Sequence, residues 1–250
     1  MKHHNFVLVG GDTDGLAFKK PDEKPFTQEE RQALLDELNS YMDELIRWED
    51  DGVYKRQIVV KAKNYILQDE AGKVKIKGSA LKATTKEKAL QRFIKEVVEC
   101  LLKDRKDHIL MIYLEYAKEI MNIKDISDWC FKKTITKSVL NPERTNEQRV
   151  LDALNELDVR EGDKVYVFYK TPEELCLREK FDGTYDRDTL LKKLYNTLEV
   201  FGTIIDMSLI PNFALKRNKP LLECLIPKIE VQPTKPSPFP PGFFNVRTTT

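Results

Sequence analysis

The feature that most constrains the fold lies near the N-terminus, where two short apolar runs flank a centre of Gly, Asp and Thr. Residues 6–9 and 16–18 are the apolar runs, and residues 10–15 form the centre. Apolar runs bounded by turn residues are typical of a β-hairpin, because Gly and Asp adopt the backbone angles that a tight turn needs. The pattern therefore predicts a hairpin whose tip carries the carboxylates of Asp12 and Asp14.

Two carboxylates at a hairpin tip are free to meet a ligand, because the side chains there are not needed for packing. One of them can bind a metal ion while the other supports it or faces a substrate. The alternative is an ordinary turn, since Asp and Gly are common turn formers. The spacing alone favours the ordinary turn, so the functional interpretation depends on the neighbouring sequence.

Three short motifs in a fixed order add that information. Residues 11–14 are Gly-Asp-Thr-Asp, residues 63–65 are Lys-Asn-Tyr and residues 75–78 are Lys-Ile-Lys-Gly. The first resembles the GDTD signature in the palm of family B DNA polymerases, with Gly10 and Gly15 where that family usually has Tyr and Ser. The second resembles the family's K-x-Y palm motif, and the third resembles the lysine-bearing strand that follows it. The resemblance covers nearly all of the chain and implies the C-terminal part of such an enzyme, the palm end plus the thumb.

This resemblance implies an activity and roles for individual residues. Family B polymerases transfer a nucleotide to the primer 3′-OH with two Mg²⁺ ions about 4 Å apart. By resemblance, Asp14 is the direct metal ligand and Asp12 is the supporting carboxylate near the primer terminus. Lys63 and Tyr65 would grip the primer-template backbone, and Lys77 would lie near the primer end or the minor groove.

Several parts of such an enzyme have no counterpart in the sequence. The earlier D-x-x-S-L-Y-P motif, the triphosphate-binding fingers helix and the exonuclease carboxylates are all absent. We therefore expect an N-terminal polymerase subunit or segment to supply the exonuclease, the remaining palm and the fingers. Of a split enzyme and a longer polypeptide, the sequence favours a naturally split, phage-type subunit. The other expected partners are primer-template DNA and dNTP.

The charge balance means that any nucleic-acid surface must be local. Lys and Arg number 42 against 41 Asp and Glu, which gives a formal net charge of +1. The strand predicted at residues 73–77 alternates, so Val74 and Ile76 should face the core and its three lysines should face outwards. A solvated, protected edge is the alternative for these lysines. Residues 132–137 are either a phosphate-binding segment or an amphipathic surface strand. The candidate nucleic-acid contacts are Thr13, Lys61, Lys63, Tyr65, Lys75, Lys77, Lys132, Lys133 and Lys137.

Apolar periodicity predicts an α+β fold. A partial palm with antiparallel β-hairpins and a packing helix is followed by a mostly helical thumb with a few strands. The expected domains are 1–78 for the C-terminal part of the palm, 79–228 for the thumb and 229–250 for a Pro-rich extended tail. A capping box at Thr27 and Glu30 should start a helix that runs to Gly52. Further helices are predicted at 90–102, 107–121, 145–157 and 189–205, and strands at 58–60, 65–67, 73–77 and 164–169.

The remaining sequence features limit where the protein is located in the cell and which other functions it could have. No apolar run is long enough to span a bilayer and no signal peptide is evident, so we expect a cytoplasmic protein with no membrane partner, in the host cytoplasm if viral. Four dispersed cysteines argue against zinc. The main alternative function is a non-catalytic duplex-DNA-binding module derived from a polymerase palm and thumb. A metal-dependent hydrolase acting alone would need a third acidic ligand, for which the sequence offers no candidate.

Overall fold

A computed structural model describes residues 6–12, 15–43, 45–82, 87–155 and 157–225, and within these ranges the fold is α+β. The predicted fold class is confirmed. The strands are β1 (Val7–Asp12), β2 (Gly15–Lys19), β3 (Arg56–Lys61), β4 (Asn64–Gln68), β5 (Val74–Lys77), β6 (Phe131–Thr134), β7 (Lys164–Tyr169) and β8 (Leu175–Leu177). The helices are α1 (Gln28–Ser40), α2 (Ser79–Lys82), α3 (Lys88–Leu102), α4 (His108–Met121), α5 (Lys137–Leu140), α6 (Thr145–Leu154), α7 (Arg187–Glu199) and α8 (Lys219–Leu225).

The strands form small antiparallel sheets rather than one large one. Strands β1 and β2 make a hairpin, β3, β4 and β5 make a second sheet, and β6, β7 and β8 make a third. In the hairpin, Asp12 is the register partner of Gly15, so residues 13 and 14 connect the two strands. The predicted hairpin is therefore confirmed, although Thr13 and Asp14 lie outside the described residues.

The main hydrophobic core lies between the second sheet and three helices. Helix α3 presents a wide apolar face to α4 and α7, and Phe93, Tyr113 and Trp129 are fully buried there. The polar groups of Tyr113 and Trp129 both have hydrogen-bond partners. The Tyr113 hydroxyl donates to the carbonyl of Pro211 at 2.8 Å, and the Trp129 indole N–H donates to the Glu119 carboxylate at 2.9 Å. Val60 of β3 and Ile66 of β4 belong to the same core. The domain boundary at residue 78 thus falls within one packed body and stays a prediction.

A smaller core lies between the third sheet and the helices α5 and α6. The two cores meet at a buried ion pair. Glu87, whose side chain is 3% exposed, pairs with Lys193 of α7. The Lys193 ammonium also lies 4.5 Å from the ring centroids of both Phe131 and Tyr169, which belong to the third sheet. Because a buried carboxylate is costly without a partner, this contact ties the third sheet to the helices.

The helix predicted from Pro25 to Gly52 is wrong in its second half. Its capping box is present, with Thr27 accepting from the Glu30 amide, but α1 ends at Ser40. The cause is Asn39, whose side chain accepts a hydrogen bond from the Trp48 amide at 2.7 Å and donates to the Trp48 carbonyl at 3.2 Å. This clamp folds the chain back along α1. Gly52 lies in the following loop and does not end a helix.

Most other predicted elements are confirmed, with shifted ends. Helices α3 and α4 and strand β7 match their predicted ranges closely, whereas α6 stops at Leu154 and α7 runs from Arg187 to Glu199. Residues 131–134 form a strand, as one of the two interpretations of this segment had it. The predicted tail at 229–250 lies outside the described residues. Within the described ranges, none of the helices has the length and apolar character needed to cross a membrane.

Candidate nucleic-acid interface

The hairpin that carries the two acidic residues lies close to the second sheet at Gly10. A Cβ atom added at Gly10 of β1 would lie 4.0 Å from Nε2 of Gln57 on β3. The hairpin therefore lies next to the Gln57 side chain of the second sheet.

Gln57 belongs to a face of the second sheet that points away from the main core. Register places Gln57 opposite Leu67 and Leu67 opposite Lys75 in one row, with Val59, Tyr65 and Lys77 in the next. Side chains on a strand alternate between faces, so the other face carries the residues that reach the main core. Those core-facing residues are Ile58, Val60, Ile66 and Ile76. The opposite face carries Gln57, Val59, Tyr65, Leu67, Lys75 and Lys77, of which Leu67 is buried, and we call it the Lys/Tyr face.

The hairpin therefore lies beside a face that offers an aromatic ring and an ammonium group next to each other. Tyr65 and Lys77 are directly opposite across β4 and β5. Opposed side chains in an antiparallel pair have Cβ atoms about 5 Å apart. As predicted, Ile76 packs against the core, whereas Val74 at the start of β5 is 40% exposed.

Lys75 is held by an acidic partner. Its ammonium donates to both carboxylate oxygens of Asp51, at 2.8 and 3.0 Å, and to the Tyr54 hydroxyl at 3.1 Å. These hydrogen bonds, the one to Asp51 above all, raise the pKa of Lys75, and the hydrogen bond from Lys75 lowers the pKa of Asp51. Lys75 would have to leave Asp51 to contact a phosphate.

The remaining predicted contacts of this region lie on the turn between β3 and β4. Lys61 is the register partner of Asn64, and Lys63 occupies the turn with a left-handed backbone at φ 59°. Both lysine side chains are exposed. Because Asn64 precedes Tyr65 directly, this turn places Lys61 and Lys63 at the end of the sheet that carries Tyr65 and Lys77.

The other three predicted lysines are on the third sheet and its neighbouring helix. Lys132 and Lys133 of β6 pair with Tyr166 and Val165 of β7, and both are half-buried. Lys137 is exposed at the start of α5. The structure therefore does not bring these three lysines onto the Lys/Tyr face. Beside this strand pair the structure places a cation that the sequence did not suggest. The guanidinium of Arg178 stacks on the Tyr166 ring, 5.0 Å from its centroid.

The metal site predicted at the hairpin tip has its first residue at the end of β1 and its second outside the described ranges. Within the part of the chain that the structure describes, no group of three or more His, Cys, Asp or Glu side chains could hold a metal ion. Carboxylate oxygens suit Mg²⁺, which demands near-octahedral coordination. Asp12 and Asp14 therefore have the right donor chemistry and too few donors for a complete site.

Comparisons with known proteins support the fold. No protein-family model and no curated protein sequence matches the chain. The structure is similar to a solved family B DNA polymerase from the hyperthermophilic archaeon Pyrobaculum calidifontis, with a TM-score of 0.58 and 18% sequence identity. The match covers 82% of this chain and 27% of that one, so this chain spans about a quarter of the polymerase. At this identity the likeness establishes a shared fold alone.

Proposed function

We propose that this chain is the C-terminal palm and thumb portion of a family B DNA-directed DNA polymerase, with the palm ending near residue 78. The observation that carries the proposal is the position of the acidic hairpin beside the Lys/Tyr face, where Gly10 lies next to the Gln57 side chain. Metal-binding carboxylates and a cationic surface beside them are the two parts that template-directed nucleotidyl transfer requires. The fold similarity to a family B DNA polymerase supports the same proposal.

In this proposal the hairpin supplies one side of the metal site. Asp14 would bind the metal directly, and Asp12 would support it near the primer terminus. Bound Mg²⁺ would activate the primer hydroxyl and hold the triphosphate of the dNTP. Two carboxylates cannot complete octahedral coordination, so a further carboxylate from the N-terminal portion and phosphate oxygens of the substrate would supply the rest.

The Lys/Tyr face and its adjacent turn would hold the primer-template duplex. Lys61, Lys63, Tyr65 and Lys77 would contact the sugar-phosphate backbone, and Thr13 at the hairpin tip would lie near the primer end. Contacts of this kind position a duplex without reading its sequence, which a template-copying enzyme needs. Lys75 would join them only by exchanging Asp51 for a phosphate. On the thumb, Lys132, Lys133 and Lys137 would contact the duplex at a second place.

Exposed apolar residues around the hairpin indicate where the N-terminal portion would bind. Val7, Leu8 and Val9 are consecutive in β1 and all well exposed. Because consecutive strand residues point to opposite faces, both faces of β1 are open. Leu45, after α1, is 97% exposed. Large exposed apolar residues that are consecutive in a strand are typical of an interaction site. Its occupant would be the polypeptide with the exonuclease, the remaining palm and the fingers, as a separate phage-type cytoplasmic subunit or as an N-terminal extension.

Primer extension tests the proposal. The chain is mixed with the polypeptide that supplies the missing parts, and Mg²⁺-dependent extension of a primed template is measured. Asp14→Asn should lower the extension rate by about 10³-fold or more, because a lost metal ligand removes charge stabilisation of the transition state. Asp43→Asn is the control, since Asp43 is an exposed residue after α1 that has no proposed role.

Wild-type extension by Asp14→Asn would contradict the proposed catalytic role. Salt-dependent duplex binding without any extension in the wild-type mixture would instead favour a duplex-binding module derived from a palm and thumb.

A further inference from the structure

The end of β5 approaches the turn between β3 and β4 so closely that one residue there cannot have a side chain. Gly78 follows Lys77 with φ at +104°. A Cβ added to it would lie 2.4 Å from the Lys63 carbonyl oxygen and 2.3 Å from Oδ1 of Asn64. Real Cβ atoms do not approach other atoms to this distance, and one of the two obstacles is backbone, which cannot rotate away. Residue 78 must be Gly for this turn and strand to coexist.

Asn64 fixes the other side of the contact. It is 6% exposed, and its Nδ2 donates a hydrogen bond to the Ala62 carbonyl at 2.9 Å, within the same turn. Lys63, which lies between Ala62 and Asn64 in the chain, has a left-handed backbone. The Asn64 side chain thus closes the turn on itself and presents its carbonyl oxygen to Gly78. A buried amide held in this way is costly to move, because its polar atoms would lose their partners.

The contact between Gly78 and Asn64 affects the positions of the residues that would bind DNA. Asn64 directly precedes Tyr65, Gly78 directly follows Lys77, and Tyr65 is opposite Lys77 in the sheet. The contact of Gly78 with Asn64 therefore fixes the turn bearing Lys63 against the strand bearing Lys77. These two cations lie 14 residues apart in sequence, and this contact adds to the strand register that brings them together.

We propose that Gly78 and Asn64 are positioning residues that hold Lys63, Tyr65 and Lys77 in one geometry for binding the nucleic-acid backbone. The inference rests on the proposed function, because it assumes that these three side chains contact a duplex. Neither Gly78 nor Asn64 needs to touch the nucleic acid. Their role is to keep the turn and the strand end in register, so that several phosphates are engaged at once.

The test compares two glycines of the same β-hairpin. Gly72, in the turn between β4 and β5, also has a positive φ of +85°, but a Cβ added to it meets nothing within 4 Å. Gly72→Ala and Gly78→Ala therefore suffer similar backbone strain, and only the second forces the turn and strand apart. Binding of the full chain to a short duplex of mixed sequence is measured by fluorescence anisotropy over a range of salt concentrations.

Gly78→Ala should bind about tenfold more weakly than Gly72→Ala, with a slope of log affinity against log salt that is smaller by about one, because about one phosphate contact is lost. Gly72→Ala should bind within about twofold of the wild type, since its surface contacts are intact. A purely structural effect would lower the folded fraction without changing the salt slope. Equal affinities and slopes for the two variants, both folded, would overturn the proposal.

Two further comparisons make every outcome decisive. Lys63→Ala and Lys77→Ala should each weaken binding and reduce the salt slope by about one. If neither has an effect, the proposed duplex surface fails, whatever Gly78→Ala does. If both have an effect and Gly78→Ala matches Gly72→Ala, only the positioning role fails. Should Gly78→Ala not fold, Asn64→Ala replaces it, with the same expected loss of slope and with wild-type binding as the contradicting result.

Discussion

Two regions of the molecule differ in what they do with apolar residues. The helical body, which is the main core with α3, α4 and α7 around it, buries them, and the N-terminal hairpin region exposes them. In the body, α3 alone buries nine residues against α4 and α7, whereas Leu34 is the buried residue of α1. In the hairpin region, formed by β1, β2, α1 and residues 41–50, strand β1 exposes apolar residues on both faces. The body thus buries its apolar residues, while the region that carries the candidate carboxylates leaves those of β1 exposed. Under the proposed function, the polypeptide that supplies the remaining palm would cover this exposed strand.

Truncating one apolar residue in each region tests whether the two regions differ in how much such residues contribute to stability. Phe93 is fully buried and packs edge-on to Tyr116 at 5.2 Å. Phe93→Ala should lower the free energy of unfolding by about 3–5 kcal/mol, because it removes buried apolar area and leaves a cavity. Leu45→Ala should change it by less than about 0.5 kcal/mol, because Leu45 is already in solvent. Urea unfolding measures both, and similar losses would show that the two regions do not differ.

The ion pair between the two cores should behave as part of the self-supporting body. Lys193→Met should destabilise the chain by about 3 kcal/mol, because it leaves the Glu87 carboxylate buried without its cation. The matched control is Lys219→Met, since Lys219 pairs with Asp188 in an exposed position at 2.6 Å. That pair should contribute less than about 1 kcal/mol. Equal destabilisation by the two variants, again in urea, would mean that Glu87 is more solvated than the structure shows.

Thiol reactivity should sharpen the same contrast without unfolding the protein. Burial raises the pKa of Cys130 in the body to about 12, so almost no reactive thiolate is present at pH 8. In the Leu8→Cys variant, the introduced thiol should react with iodoacetamide faster than Cys130 by about 100-fold or more, because position 8 is exposed. Peptide mass spectrometry resolves each site. Native labelling of Cys130 at the rate of the introduced thiol would contradict a closed body.

The elements that the sequence predicted are those with local signals. The turn residues of the hairpin, the β-branched run of β3, the apolar run of β4 and the apolar spacing of α4 are each contained within a few consecutive residues. Strand β8 and helices α2, α5 and α8 are short, so their periodicity is too brief to recognise. The end of α1 was missed because the clamp of Asn39 on Trp48 joins residues nine positions apart, and helix periodicity carries no information about it.

The candidate site shows the same division. The motif residues Lys63, Tyr65 and Lys77 were found by local resemblance, and their placement at one end of a sheet follows from strand register. The ion pair of Lys75 with Asp51 could not be predicted, because the partner comes from a loop 24 residues away. The contact between Gly78 and Asn64 was missed for the same reason. The roles of Asp12 and Asp14 in metal binding stay predictions.

Hydrogen exchange tests most directly whether another polypeptide completes the hairpin region. Backbone amides of β1, β2 and α4 are followed by mass spectrometry in the chain alone and after addition of the polypeptide carrying the remaining palm and the fingers. The β1 and β2 amides should exchange faster than those of α4 in the chain alone, because few buried contacts restrain local opening. They should become protected on mixing, while α4 stays unchanged. Hairpin amides as slow as those of α4 in the chain alone, or unaltered by mixing, would contradict the account.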